Sequence, residues 1–258
     1  MKKLLLISIM FALFLVATAS AVYISGPVGV DAAKESAVQF LDNSGADVQY
    51  QEEDYLDIGD YYVFSTGNGK VYVNMNTGIV ERASFNDARK SSGKVLIDST
   101  EAEKISKEYA RENYDGFDDK NMQLTYSKLL DHVDAGYEYS IVWRENIEGA
   151  LTPNFVAIDI NAESGEISSY IGIHRDIDCS VKPQISEEDA LKIAEKQFPG
   201  IEVSKSESYL SIEYTKPDIQ SLIWVITLKG EPVNYSLYGG TVVIDAVNGN
   251  VLMTSGYC

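Results

Sequence analysis

The stretch IDAVNGNV at 244–251 decides the fold, because related stretches occur twice upstream, as INAESGEI at 160–167 and VNMNTGIV at 73–80. All three share an aliphatic residue, Asn or Asp, two variable residues, a small polar residue, Gly, a variable residue and Ile or Val. The pattern predicts a β-hairpin, since Gly adopts positive φ in the turn and β-branched residues favour the flanking strands. Threefold recurrence predicts repeated units. We call these stretches the marker turns; their glycines are Gly78, Gly165 and Gly249.

A segment with a helical pattern precedes each marker turn. In the third segment Ser186 and Asp189 have the spacing of a capping box, and Pro199-Gly200 ends the helix. In the second segment Asp98 and Glu101 have the same spacing. The first segment has apolar residues at helical spacing between Val30 and Leu41. Each helix is too short to be stable alone, so we expect its apolar face to be buried on the strands that follow.

Strands are predicted between each helix and its marker turn. They are expected at 61–65, 70–73, 137–143, 155–160, 208–214, 221–228 and 240–245. The predicted fold class is therefore α+β, with repeated units that each pack one helix on a small antiparallel sheet. The expected units are residues 30–88, 95–175 and 179–258, which are the first, second and third segments in the text that follows.

Residues 1–21 have the pattern of a signal peptide and are excluded from the predicted fold. Met1-Lys2-Lys3 is a basic start, Leu4 to Val16 is apolar except for Ser8, and small residues follow at 17–21. The apolar run is shorter than the roughly 20 residues that span a bilayer, which favours cleavage over anchoring. We expect an extracytoplasmic protein, secreted or associated with the cell envelope, whose mature chain begins near Ser20 or Val22.

The chain is acidic, with a formal net charge of −18. Removing residues 1–21 takes away two lysines and no acid, which makes the charge −20. Such a charge repels nucleic acid and anionic membrane surfaces, so neither is an expected partner after signal cleavage. The acidic composition favours solubility over an acidic face that docks a basic partner, and the sequence leaves the oligomeric state open.

The third segment resembles the PepSY domain family. The family pattern combines a capped helix of the form Ile-Ser-Glu-Glu-x-Ala-x-x-x-Ala with a closing hairpin of the form Val-x-(Val/Ile)-Asp-x-x-(Asn/Thr)-Gly-x-(Val/Ile). Here those parts are Ile185 to Ala194 and Val242 to Val251. The second segment is similar to a diverged copy, with Ser106 where the third has Ala194, and the first segment matches least.

This resemblance implies an extracytoplasmic α+β module that binds or inhibits peptidases and carries no catalytic residues. The chain contains no His-Glu-x-x-His, so no zinc peptidase domain of that type is attached to it. We therefore expect a non-enzymatic protein that binds a polypeptide partner, with a separate extracellular peptidase as the first candidate. The alternative is a structural or interaction protein of the cell envelope without a peptidase, and a third reading is an uncharacterised hydrolase.

Few residues suggest metal, cofactor or catalytic chemistry. His132 and His174 are the two histidines, and neither has a second His or Cys at ligand spacing. The acidic groups around 52–60 and at Asp176 and Asp178 lack the spacing of an EF-hand, so a solvated face is favoured over a Ca²⁺ site. No catalytic residue, cofactor or metal site is predicted.

Cys179 and Cys258, the two cysteines, bracket the third segment, and we expect a disulfide between them. Export places them where disulfides persist, and an even count leaves no thiol over. Two free thiols and an intermolecular bridge from Cys258 are the alternatives.

Overall fold

The computed structural model describes residues 27–41, 47–56, 59–88, 93–133, 136–216, 219–231 and 238–257. The predicted signal peptide lies outside these residues. Within them the chain forms three helices, α1 (Val30–Phe40), α2 (Ser99–Asn113) and α3 (Glu187–Glu195). None of the described helices is long and apolar enough to cross a bilayer.

Four strands follow each helix in the described chain, and all twelve belong to one sheet. After α1 come β1 (Gln49–Leu56), β2 (Gly59–Thr66), β3 (Gly69–Asn74) and β4 (Val80–Phe85). After α2 come β5 (Met122–Asp131), β6 (Tyr137–Ile147), β7 (Ala150–Asn161) and β8 (Ile167–Ile173). After α3 come β9 (Val203–Lys216), β10 (Ile219–Gly230), β11 (Gly239–Asp245) and β12 (Val251–Tyr257).

The sheet is branched at β7. Its main order is β1-β2-β3-β4-β8-β7-β9-β10-β11-β12, while β6 also pairs with β7, and β5 pairs with β6. The strand pairings among the described residues are antiparallel except that of β7 with β9, which is parallel and joins Ala150 to Leu210 and Leu151 to Ser211. One large sheet therefore replaces the separate small sheets that the sequence predicts. The mixed helix and sheet composition is as expected.

The helices begin where their caps predict. Asp98 accepts a hydrogen bond from the N–H of Glu101 at 2.9 Å, and Ser186 accepts one from the N–H of Asp189 at 3.1 Å. Both caps satisfy N–H groups that a helix start leaves without partners inside the helix. The two predicted capping interactions are confirmed.

Small residues face the sheet from each helix, which lets helix and sheet backbones approach closely. The fully buried positions, each with 0 % exposure, are Ala33, Ala37, Ala102, Ser106, Ala110, Ala190 and Ala194. Strand residues alternate between buried and partly buried positions along β6 and β7, as expected for a sheet covered on one face.

Two hydrophobic cores underlie the sheet. The larger core combines both α1 and α2 with strand residues such as Phe64, Ile158 and Tyr170. The smaller core packs α3 on Ile212 and Ile226, and Ala150 of β7 is its one member from the first two segments. The first two helices thus share a core and the third has its own. The boundaries at 88, 95, 175 and 179 stay predictions about independent units.

β1 and β5 were not expected from the sequence. The acidic residues from Glu52 to Asp54, interpreted above as a solvated face, lie within β1. Most β1 and β5 side chains are exposed or only partly buried, because each strand pairs on a single side in the described chain. Such strands lack the alternating apolar pattern that predicts a half-buried strand.

Candidate functional site

The third marker turn is held by its own side chains. The Oδ1 atom of Asp245 accepts hydrogen bonds from the N–H groups of Val247 at 2.8 Å and Asn248 at 3.1 Å. The Gly249 N–H donates to the Asp245 carbonyl at 2.9 Å, and Gly249 has a φ of +76°. The Asn or Asp of the pattern thus supplies the acceptor, and the Gly supplies the left-handed backbone.

The other two marker turns have the same geometry. Asn74 and Asn161 each accept two backbone N–H bonds through Oδ1. Gly78 and Gly165 have φ values of +71° and +74°. The three predicted turn glycines lie at three separate places, so they do not form one site.

Each marker turn also contacts the residue before a helix cap. In each case the backbone N–H donates to the carbonyl of the residue at position three of the marker turn. The pairs are Val28 to Met75 at 2.7 Å, Ile97 to Ala162 at 3.1 Å and Ile185 to Ala246 at 2.9 Å. The turns therefore attach the helix starts to the sheet, which is a structural role.

The outer edge of β12 is the first surface suited to a polypeptide. Among the described strands β12 pairs only with β11. Its residues carry no charge, and Val251, Leu252 and Met253 are 38 %, 46 % and 53 % exposed. Helix α3 packs on β10 and β11. β12 thus presents backbone N–H and C=O groups together with apolar side chains to solvent.

The other open edges are charged. β1 carries Glu52, Glu53 and Asp54, and β5 carries Lys128 and Asp131. Charged side chains on an edge strand oppose pairing with another strand. β12 is therefore the open edge, among those described, that lacks this protection.

A cleft of about 690 Å³ lies between the C-terminal ends of α1 and α2. The rings of Phe40, Phe85 and Tyr109 line it, and the carboxylates of Glu112 and Glu166 lie on its rim, as does Asp87. Phe40 and Tyr109 meet edge to face, with centroids 6.4 Å apart. No Lys or Arg is among the described residues that line it.

The Tyr109 phenol stays protonated in this cleft. Burial, and then the nearby Glu112 carboxylate, raise the pKa of Tyr109 above its ordinary value. Neither effect favours a phenolate, because burial and a neighbouring negative charge both oppose a second negative charge. The hydroxyl is consequently a neutral hydrogen-bonding group beside two aromatic rings and several acids.

A buried polar network joins the first two segments. The Glu81 carboxylate, 3 % exposed as a residue, accepts hydrogen bonds from Arg175 Nη1 at 2.5 Å and Nη2 at 2.9 Å and from the Tyr61 hydroxyl at 2.7 Å. Asn154 accepts from the Arg175 N–H at 2.7 Å and donates to Glu145 at 2.8 Å. No local pattern in the sequence indicates this network, since its members are spread over 114 positions, from Tyr61 to Arg175, and form no motif.

The histidines do not assemble a catalytic or metal site. His132 lies 3.1 Å from Glu138 and is exposed, and His174 contacts the Tyr114 ring edge to face. Burial, and then Lys120, lower the pKa of His174. No group of three or more His, Cys, Asp or Glu residues in the described parts of the chain is arranged to hold a metal ion.

Cys179 packs against the smaller core, and burial raises the pKa of its thiol. Cys258 lies outside the described residues. The disulfide stays a prediction, and mass spectrometry of non-reduced peptides tests it against two free thiols and an intermolecular bridge from Cys258.

Comparisons with known proteins find a family match within the third segment. Residues 184–253 match the model of PepSY, described as the peptidase propeptide and YPEB domain. The fold is similar to the Bacillus megaterium YpeB C-terminal domain, with a TM-score of 0.55 and 17 % identity over 90 % of this chain and 99 % of that chain. No curated protein matches in sequence. The expected resemblance of the third segment is confirmed, since residues 184–253 match the PepSY domain.

Proposed function

We propose that this PepSY-domain protein acts outside the cytoplasm, without enzymatic activity, by binding a polypeptide partner whose first candidate is a peptidase. The observation that carries the proposal is the open, uncharged edge of β12, the strand in which the PepSY match ends. An extended segment of the partner adds to this edge as a further strand. Its main-chain groups pair with β12, and its apolar side chains lie beside Leu252 and Met253.

Charge supports the choice of this edge. An approaching strand meets three carboxylates at β1, whereas it meets no charge along β12. Pairing of an uncharged segment with β12 leaves no charge buried without a partner, so desolvation costs less there. The family description as a peptidase propeptide domain supports a peptidase as the partner.

Inhibition of a purified thermolysin-like metallopeptidase by the purified chain tests the proposal. We expect inhibition by the wild-type chain and a loss of at least about tenfold in apparent affinity for Met253→Lys, since a Lys on an edge strand opposes strand addition. The matched control is Leu129→Lys on the open edge of β5, where the side chain is 42 % exposed. This control should inhibit as the wild type does.

Two results would contradict the proposal. Absence of inhibition, with capture of only envelope components from the exported fraction, would favour an envelope interaction protein. Equal losses for Met253→Lys and Leu129→Lys would show that β12 is not the contact. Circular dichroism of each variant separates these results from misfolding.

A further inference from the structure

We propose that the cleft between α1 and α2 binds a Lys or Arg side chain, together with an adjoining apolar side chain, from a segment of a polypeptide. This site is distinct from the β12 edge. The inference rests on the proposed function only in that the ligand is a polypeptide. Binding of a peptide to the cleft does not require a peptidase.

The cleft has the size of a binding site. Its volume of about 690 Å³ falls within the range of about 300 to 1,000 Å³ that ligand pockets occupy. The cleft opens to solvent at the junction of the first two segments, where Phe40 at the end of α1 meets Tyr109 in α2. Two side chains of a peptide therefore fit without movement of the cores.

The apolar part of the site comes from aromatic rings. Phe40 and Tyr109 each also contact the buried Tyr170 ring, with centroids 5.3 and 5.8 Å from it. The Tyr170 hydroxyl donates to the Asn113 carbonyl at 2.9 Å. These contacts hold the rings in place before a ligand arrives, so little entropy is lost on ordering them. Aromatic faces bind apolar side chains and also attract cations.

The charged part of the site comes from Glu112 and Glu166. In the described chain neither carboxylate has a Lys or Arg within ion-pair distance, and Ser164 donates to Glu166 at 3.1 Å. Both residues are exposed at the rim. A ligand cation that enters between the two carboxylates is attracted by both of them. It displaces no Lys or Arg of the described chain. The two carboxylates repel an anion.

Binding of short peptides to the full purified chain tests the site. The probe is N-acetyl-Phe-Arg-amide, and its matched control is the same peptide with neutral citrulline in place of Arg. We expect weak binding of the Arg peptide, with a Kd of about 1 mM, by NMR titration or calorimetry. Citrulline keeps the shape and removes the charge, so its peptide should bind at least about fivefold more weakly.

Variants separate the cleft from the general acidity of the chain. Glu112→Gln and Glu166→Gln should each weaken binding of the Arg peptide by about three- to fivefold, and the double variant should weaken it by more. The matched control is Glu108→Gln, which makes the same charge change on α2 at an exposed residue that does not line the cleft. It should bind as the wild type does.

Three results would overturn the inference. These are equal affinity for the Arg and citrulline peptides, equal weakening by Glu108→Gln and Glu112→Gln, and no binding of either peptide up to about 10 mM, an order of magnitude above the expected Kd. Loss of peptidase inhibition in Met253→Lys with retained peptide binding would separate this site from the one on β12.

Discussion

The guanidinium of Arg175 binds both carboxylate oxygens of Glu81, at 2.5 and 2.9 Å, although the two residues are 94 positions apart. Glu81 lies in β4 and Arg175 lies just beyond β8, so the pair joins the first segment to the second. The Tyr61 hydroxyl and the Asn74 amide occupy the remaining acceptor sites of the carboxylate. Removal of one partner from such a buried pair leaves the other charge uncompensated, which is strongly destabilising.

A double-mutant cycle on this pair should therefore show strong coupling. Glu81→Gln and Arg175→Met should each lower the free energy of unfolding by about 3 to 5 kcal/mol, because each leaves the other group without its charge partner. The double variant should be more stable than the sum of the single losses predicts, by about 1 to 3 kcal/mol. Urea unfolding measures all three. Additive losses would mean that the pair contributes no specific interaction.

Gly249→Ala should destabilise the third segment. Its φ of +76° is unfavourable for Ala, and an added Cβ would lie 3.3 Å from the Ile193 side chain. We expect a loss of about 1 to 3 kcal/mol in the free energy of unfolding. Gly67→Ala is the control, since an added Cβ there has nothing within 4 Å. That variant should differ from wild type by no more than about 0.5 kcal/mol, and an equal effect at both positions would refute the role of the marker turn.

His174 should make stability depend on pH. Its pKa in the folded chain is lowered from 6.5, first by burial and then by Lys120, while Glu145, Asp176 and Asp115 oppose the shift. The unfolded chain therefore binds more protons between the two pKa values. The favourable state, neutral His174, is fully present above the unfolded pKa, and stability is lost as pH falls toward the folded pKa.

The measurement compares urea unfolding at about pH 8 and about pH 5, which bracket the ordinary His pKa. Wild type should lose more stability on acidification than His174→Gln does, because only the wild type must protonate this position. NMR titration of the ring gives the folded pKa directly. A ring pKa above 6.5 would reverse the expected sign.

A fragment that ends at Asp178 should fold without the PepSY domain. The larger core contains residues of the first two segments only, so the fragment keeps it whole. Arg144 loses its partners Ser211 and Glu213, and β7 loses its pairing with β9, so the fragment should be less stable than the full chain. Cooperative thermal unfolding by circular dichroism is the expected result. A fragment without cooperative unfolding would show that both cores depend on each other.

The sequence predicts local features well and distant ones poorly. Asp98 and Ser186 cap their helices as expected, because a cap depends on residues three positions apart. The candidate surfaces were not expected. The residues that line the cleft come from distant parts of the first two segments. No local pattern indicates that Phe40 contacts Tyr109. The open edge of β12 follows only from the strand order of the whole sheet.

The second helix has Ser106 where the third helix has Ala, and a hydrogen bond to a distant residue explains the difference. Ala194 occupies the equivalent place in the third helix, and both residues are fully buried. The Ser106 hydroxyl accepts the indole N–H of Trp143 at 3.1 Å and donates to the Glu103 carbonyl at 2.8 Å. In the third segment the Trp224 indole donates instead to the Ile185 carbonyl at 2.9 Å. The hydroxyl is thus needed only where the indole lacks a backbone acceptor.

The short parallel contact between β7 and β9 has a mechanical consequence. Two residue pairs, the hydrogen bonds of Ser211 with Arg144 and Leu151, and the Arg144–Glu213 ion pair connect β9 to the rest of the described sheet, whereas β9 and β10 pair along twelve positions. Under tension between the chain ends, this contact bears load through few bonds. Single-molecule stretching should therefore show the PepSY domain separating as an intact body at low force, with rupture of either core requiring a higher force.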